Sequence, residues 1–204
     1  MSRSHNVGII AGVTAVAFLF CGCSGNAEKT SAPVPLPVAW PRPVIYPDSF
    51  RTETVKDVCF SVNNGAGIEV TGTGADISYP AYDATVYLSV NTAASTDPVA
   101  FEHAWQGRRE RMALNLGGAT AEEITCQRPE WNNPAVVTSK TVSQTPVQFL
   151  AGDRRHGVIV SGAVFMHGWK GTEPYDSVRP LVEALQRDML ELVNTLQYAP
   201  SENP

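Results

Sequence analysis

Imidazole changes charge near neutral pH and ligates metals readily, so the histidines are the first residues to weigh for chemistry. His103, His156 and His167 lie beyond the amino-terminal region of this 204-residue chain. None is placed at the spacing of a helical zinc site, and there is no H-E-x-x-H run. They read as a solvated helix position, a turn and a strand end. Metal sites need clustered ligands, so no metal and no cofactor is expected. Ser161 lies in Val160-Ser161-Gly162 without the preceding spaced glycine of a nucleophile elbow. It reads as a small residue in a crowded central strand. Gly65-x-Gly67 and Gly72-x-Gly74 suggest a glycine-rich loop, but no P-loop lysine or helix pattern follows, so they read as turns between short strands. Asp76, Glu122, Glu123 and Glu130 have no visible partner and are expected to be solvated. Trp105, Trp131 and Trp169 have the area to line a pocket, although aromatic rings more often fill cores. No nucleophile–base pair is legible, so the expected set of catalytic residues is empty and the chain is not read as an enzyme.

The amino terminus carries a different chemistry. Arg3 and His5 lie in a short polar start, and Val7 to Phe20 is apolar apart from Gly8, Gly12 and Thr14. About 14 residues suit a signal-peptide core and fall short of the ~20 that cross a bilayer comfortably. The stretch Leu19-Phe20-Cys21-Gly22-Cys23 resembles the lipobox that precedes an acylated cysteine. Gly22 supplies the small residue before Cys23, whereas bulky Phe20 precedes Cys21. Phe20 stands where lipoboxes usually carry Leu. This resemblance implies cleavage after Gly22 and two or three acyl chains on Cys23, enough for stable anchoring. Pro33, Pro35, Pro37, Pro41, Pro43 and Pro47 then favour extended conformations, so residues 23–47 read as a lipidated tether. Packing of Trp40 to Tyr46 on the domain is the alternative, since Trp40, Val44, Ile45 and Tyr46 are costly to expose.

Cys59 and Cys126 remain after such processing. An even pair in an oxidising compartment fits a disulfide, which would contribute roughly 4 kcal/mol on the loop-entropy account. Two separate thiols fit equally well, because sequence gives no distance between them. The whole chain has 15 basic and 20 acidic residues. Loss of Arg3 with the leader leaves 14 against 20, an acidic balance that excludes nucleic acid as the main partner.

The elements that would hold these residues follow from periodicity. Val58–Val62 reads as a strand, Asn63-Asn64-Gly65 as a hairpin turn, and Gly67–Thr71 as a second strand. In Ala84–Val90, Val86, Leu88 and Val90 alternate with Thr85, Tyr87 and Ser89. Asp97 caps a helix that Pro98 opens and Gly117-Gly118 ends near Leu116. Its buried side would hold Phe101, Ala104, Trp105, Met112 and Leu116, leaving Arg108, Arg109 and Arg111 mostly solvated. Ala135–Val142 and Val147–Ala151 read as strands, and residues 152–157 as a turn. Val158–Met166 is a nearly unbroken apolar run, as in a central strand covered on both faces. Asp176 or Ser177 opens a last helix with Pro180 in its first turn. In it Val178, Leu181, Val182, Leu185, Met189, Leu192, Val193 and Leu196 form one stripe. Glu183, Arg187, Asp188 and Glu191 are assigned to the opposite side. The expected class is α+β: an antiparallel or mixed sheet with helices packed on it, similar in layout to the PsbP/Mog1 sandwich. The expected divisions are a leader over 1–22, the tether over 23–47, a globular domain over 48–198 and a tail over 199–204.

Several blocks occur in the order found in the GldD gliding-motility lipoproteins. Ala75 to Val90, reading A-D-I-S-Y-P-A-Y-D-A-T-V-Y-L-S-V, resembles that family's N-I-x-Y-P-x-F-x-x-x-I-x-L-S-Y block. Val58 to Val62 resembles its C-P-F-x-F block, and Arg108 to Met112 occupy the place of a basic helix. Val147-Gln148-Phe149-Leu150 is similar to V-Q-F-F-L-T-D, with Asp153 at the Asp, and Gly162 to Phe165 to G-x-L-Y-F. Ser177 to Leu196 resembles the closing block, with Pro180, Asp188, Leu192, Thr195 and Leu196 on matching positions. The resemblance covers most of Val58–Tyr198. Family members carry a second cysteine just before the N-I-x-Y-P block, where this chain has Thr73 or Gly74. A family bridge through that position would therefore need Cys126 as a substitute here. The resemblance implies a non-enzymatic cell-envelope lipoprotein of gliding motility and type IX secretion, anchored in a membrane by fatty-acyl chains. Its implied partners are other envelope proteins of that machinery. No acidic run follows Cys23, so the periplasmic face is expected, with either membrane open. A stand-alone ligand-binding lipoprotein is the alternative.

Overall fold

A computed structural model describes residues 44–92, 97–169 and 172–199. The leader, Cys23 and most of the tether lie outside the described residues, as do 200–204. The chain is α+β, with ten strands and two long helices among the described residues. Strands β1 (Phe50–Val55) and β2 (Val58–Asn63) form a hairpin, joined on the other side of β2 by β10 (Gln197–Tyr198). The second sheet has seven strands: β3 (Gly67–Val70), β4 (Gly74–Tyr79), β5 (Ala84–Thr92), β6 (Ala121–Thr125), β7 (Asn132–Ser139), β8 (Val147–Asp153) and β9 (Val158–Met166). Their spatial order is β3-β4-β5-β9-β8-β7-β6, with all neighbours antiparallel. Helix α1 (Pro98–Leu116) lies on one face, and α2 (Tyr175–Thr195) shares the other with the three-stranded sheet.

The apolar run Val158–Met166 is the middle strand of seven. Its even-numbered residues Val158, Val160, Val164 and Met166 enter the main core, while Ile159 faces α1. Period-2 alternation sorts β5 likewise: Val86, Leu88 and Val90 are buried in the core. Close approach is set by glycine at one point. A Cβ on Gly74 would stand 1.9 Å from the Leu88 carbonyl oxygen, so a side chain there would force β4 away from β5.

The Asn63-Asn64-Gly65 turn does not close a hairpin, because β2 and β3 belong to different sheets. It carries the chain from one sheet to the other. Gly65 also makes room for Tyr46, whose ring would lie 2.6 Å from a Cβ at that position. Tyr46 packs on the core, its centroid 4.9 Å from Tyr82 and 6.2 Å from Tyr79. Its backbone N–H donates to the Tyr82 hydroxyl at 2.7 Å. The domain therefore starts at Tyr46 at the latest, before residue 48. At the other end, Ala199 N–H donates to Asp57 O at 2.8 Å, so that residue belongs to the domain and not to a tail.

Helix α2 carries the expected stripe: Val178, Val182, Leu185, Met189, Leu192 and Val193 are buried. Asp188 is a correction to the expected outward side, since it is 2% exposed. Its position, three after Leu185 and four before Leu192, places it on the same stripe. Full burial of each large side chain on that stripe contributes ~1.5–3 kcal/mol before entropy is charged. Leu185→Asp is expected to abolish the cooperative thermal transition, because it replaces a fully buried apolar group with an unpaired charge. A melting curve like that of the unsubstituted chain would refute the assigned role of this stripe.

Candidate functional site

Helix α1 is bounded as its sequence dictates. The Asp97 side chain accepts a hydrogen bond from Val99 N at 2.9 Å, Pro98 occupies the first turn, and Gly117 closes the helix at φ 58°. Only Phe101 and Trp105 are buried, against Leu150 and Ile159. Gly152 admits them, since a Cβ there would come within 2.8 Å of the Trp105 ring and 2.9 Å of the Phe101 ring. Beyond Trp105 the helix overhangs the polar half of the sheet face.

That overhang forms a groove of about 250 Å³ between α1 and strands β5, β9 and β8. Register places Ser89 directly opposite Ser161, and their hydroxyl oxygens are 3.1 Å apart. Arg108 reaches down from α1, and its Nη1 donates to Ser89 Oγ at 3.3 Å. Arg111 and Asn115 continue the wall one and two turns on. Buried Gln148 fixes the far end: its Nε2 donates to Met112 O at 3.3 Å, and its Oε1 accepts from Asn115 Nδ2 at 3.1 Å. Burial, and then the neighbouring Arg111 charge, pull the Arg108 guanidinium below its ordinary value. On the groove side the small Ala163 stands between Tyr87 and Gln148, while a Cβ at Gly162 would point to the inner side, 2.4 Å from the Phe149 ring. These groups donate hydrogen bonds and carry positive charge, which suits recognition of an oxygen-rich ligand.

A second polar cluster lies on the inner side, where Asp188 meets the tyrosines. Asp188 Oδ1 is 3.4 Å from Arg187 Nη2, and Oδ2 has no hydrogen-bond partner. Burial raises the Asp188 carboxyl, with Arg187, Asn63 and Tyr79 opposing. Burial also raises the Tyr79 hydroxyl strongly, and the Asp188 charge adds to the effect. Arg187 ties this cluster to the start of the domain through Asp48, 3.0 Å away.

The residues singled out in the sequence are scattered. Cys59 and Cys126 are free thiols, so the disulfide is not formed. Cys59 alternates with Val58 and Phe60 and faces away from the core, its Sγ 3.2 Å from Thr54 Oγ1. Cys126 is inside the core, where burial pushes its thiol up. His103 is exposed on α1. His156 Nδ1 lies 2.5 Å from Asp153 Oδ2, and its ring stacks on Tyr198. His167 bonds Thr85 Oγ1 at 2.8 Å. Among the described residues, no three His, Cys, Asp or Glu side chains are grouped to hold a metal. Ser161 is in the central strand, as expected, but its hydroxyl belongs to the groove. Glu122 and Glu130 do have partners, Lys140 and Arg128, which corrects their reading as unpaired carboxylates. Trp105, Trp131 and Trp169 are all buried. Sequence reasoning missed Ser89, Asn115 and Gln148, because only strand register and the α1 overhang bring them together.

No protein-family model matches the chain, and no curated protein matches its sequence.

Asp188 binds its proton more tightly in the folded than in the unfolded state. Its contribution is therefore full below the ordinary Asp value of ~3.9 and declines as pH rises through the raised folded value. Asp188→Asn is expected to flatten that decline. Urea denaturation of both forms from pH ~3 to ~7 should show the stability difference moving steadily in favour of the Asn form. A difference independent of pH would contradict the assignment.

Proposed function

We propose that the chain is a cell-envelope lipoprotein, cut before Cys23 and anchored by acyl chains there. Its globular domain acts as a non-enzymatic component or assembly factor of gliding and type IX secretion machinery, facing the periplasm. The observation that carries this reading is the convergence of the separate blocks that resemble the GldD lipoproteins. Buried Asp188 of the closing block lies near enough to Tyr79 of the tyrosine–proline block for its charge to raise the Tyr79 hydroxyl, after burial. Thr195 Oγ1 of the closing block accepts the backbone N–H of Ser61, from the first block, at 2.8 Å. Residues far apart in sequence are thus brought together in pairs, which supports a shared structural reason for the separate blocks. The apolar leader and the lipobox support the anchoring half of the reading.

A ligand-binding lipoprotein is the second reading, and the groove under α1 favours it. Affinity purification from native membranes in gentle detergent separates the two. The assembly role requires recovery of other envelope motor or secretion components, together with a mature amino terminus at acylated Cys23. Recovery of the lipoprotein alone, with secretion normal in a deletion strain, would overturn that role. An intact leader or an unmodified Cys23 would overturn the anchoring.

A further inference from the structure

We propose that the groove between α1 and strands β5 and β9 is a binding site for a phosphate monoester. The reason lies in uncompensated charge. Arg51, Arg128, Arg154, Arg179 and Arg187 each meet a carboxylate, whereas among the described residues Arg108, Arg109, Arg111 and Arg155 have no ion pair, and of these four only Arg108 and Arg111 line the groove. Arg108 and Arg111 line the same groove, one turn apart on α1. Among the described residues no carboxylate lines the groove; Asp76 shares this sheet face one strand beyond Tyr87 and is not part of the lining. A guanidinium cannot shed its proton at ordinary pH, so an anion seated between the two would be attracted by both charges.

The number of charges selects the class of anion. Two guanidiniums match the roughly double charge of a phosphate monoester, whereas a carboxylate would leave one of them unmatched. The Ser89–Ser161 hydroxyl pair and the Asn115 amide supply further groups for phosphate oxygens. Beside them Tyr87 is 48% exposed and offers a ring face to the organic part of the ester. The groove holds more than a lone phosphate, since one water needs only ~10–15 Å³ on the same measure. A soluble phosphate ester and the headgroup of a phosphatidic acid present the same chemistry. The ligand of the groove is independent of what the anchored domain assembles with.

Calorimetric titration of the full-length chain in neutral detergent tests the site with four probes: glycerol 3-phosphate, dihexanoyl phosphatidic acid, glycerol and acetate. Saturable binding of one or both phosphate esters is expected, with no binding of glycerol and at least about tenfold weaker binding of acetate. Tighter binding of the phosphatidic acid assigns the source to lipid, and the reverse to a soluble ester. Arg108→Gln and Arg111→Gln should each weaken binding by about tenfold or more. Arg111 is exposed, so Arg111→Gln should melt with the unsubstituted chain, which separates lost binding from lost folding. Absence of saturable binding by both esters, or an unchanged affinity in Arg111→Gln, would overturn the proposal.

Discussion

The apolar stripe of α2 meets the inner strands of both sheets at once. Val182, Leu185, Met189 and Leu192 share one core with Val58 and Phe60 of β2 and with Phe149 and Val160 of the large sheet. Each sheet would otherwise expose a face of valine and aromatic side chains, so the helix position fixes the spacing of both. Polar contacts then lock its end. Ser61 N–H reaches Thr195, Trp131 Nε1 donates to Leu196 O at 3.1 Å, and Arg128 bonds the carbonyls of Asn194 and Leu196. Strand β10 follows directly and pairs with β2, so the carboxyl-terminal end of the helix is held by both layers. Asp188 within this stripe works against burial, and the surrounding Tyr79, Asn63 and Arg187 moderate its cost.

The two faces of the large sheet are built differently. The inner face is continuous core. The outer face is covered by one helix resting on two aromatic side chains, and the polar strand residues beside it stay within reach of solvent. A helix so lightly held is where a protein opens first. It is also where a groove can form without disturbing the core, because the polar side chains lining it point away from the inner layer. The start of the domain is fastened on the inner side, where Tyr46 fills the space left by Gly65 and Arg187 reaches Asp48.

Much of this was legible in the sequence. The ends of α1 follow from Asp97, Pro98 and Gly117, whose local chemistry needs no tertiary partner. The apolar run of β9 and the stripe of α2 follow from periodicity. Strands β1, β4 and β6 were not legible, because Arg-Thr-Glu-Thr, small residues and Glu-Glu carry too little alternation; β1 and β6 lie at sheet edges, where polar residues cost least. Charge places Asp188 on the outward side of α2, whereas its spacing from Leu185 and Leu192 puts it on the buried side. The free state of Cys59 and Cys126 depends on which face of β2 enters the core, a fact of pairing and not of sequence distance. The groove depends on the Ser89–Ser161 register across strands 72 positions apart, for which no local signal exists.

Native-state amide hydrogen exchange measures most directly whether α2 holds the two layers together. Amides from Val182 to Val193 should exchange only through global unfolding, with the same free energy as those of β9 and β2, while α1 opens at a lower one. Exchange of α2 amides at a free energy well below that of β9 would show that the sheets stand without the helix, and would contradict its role as the element that joins them.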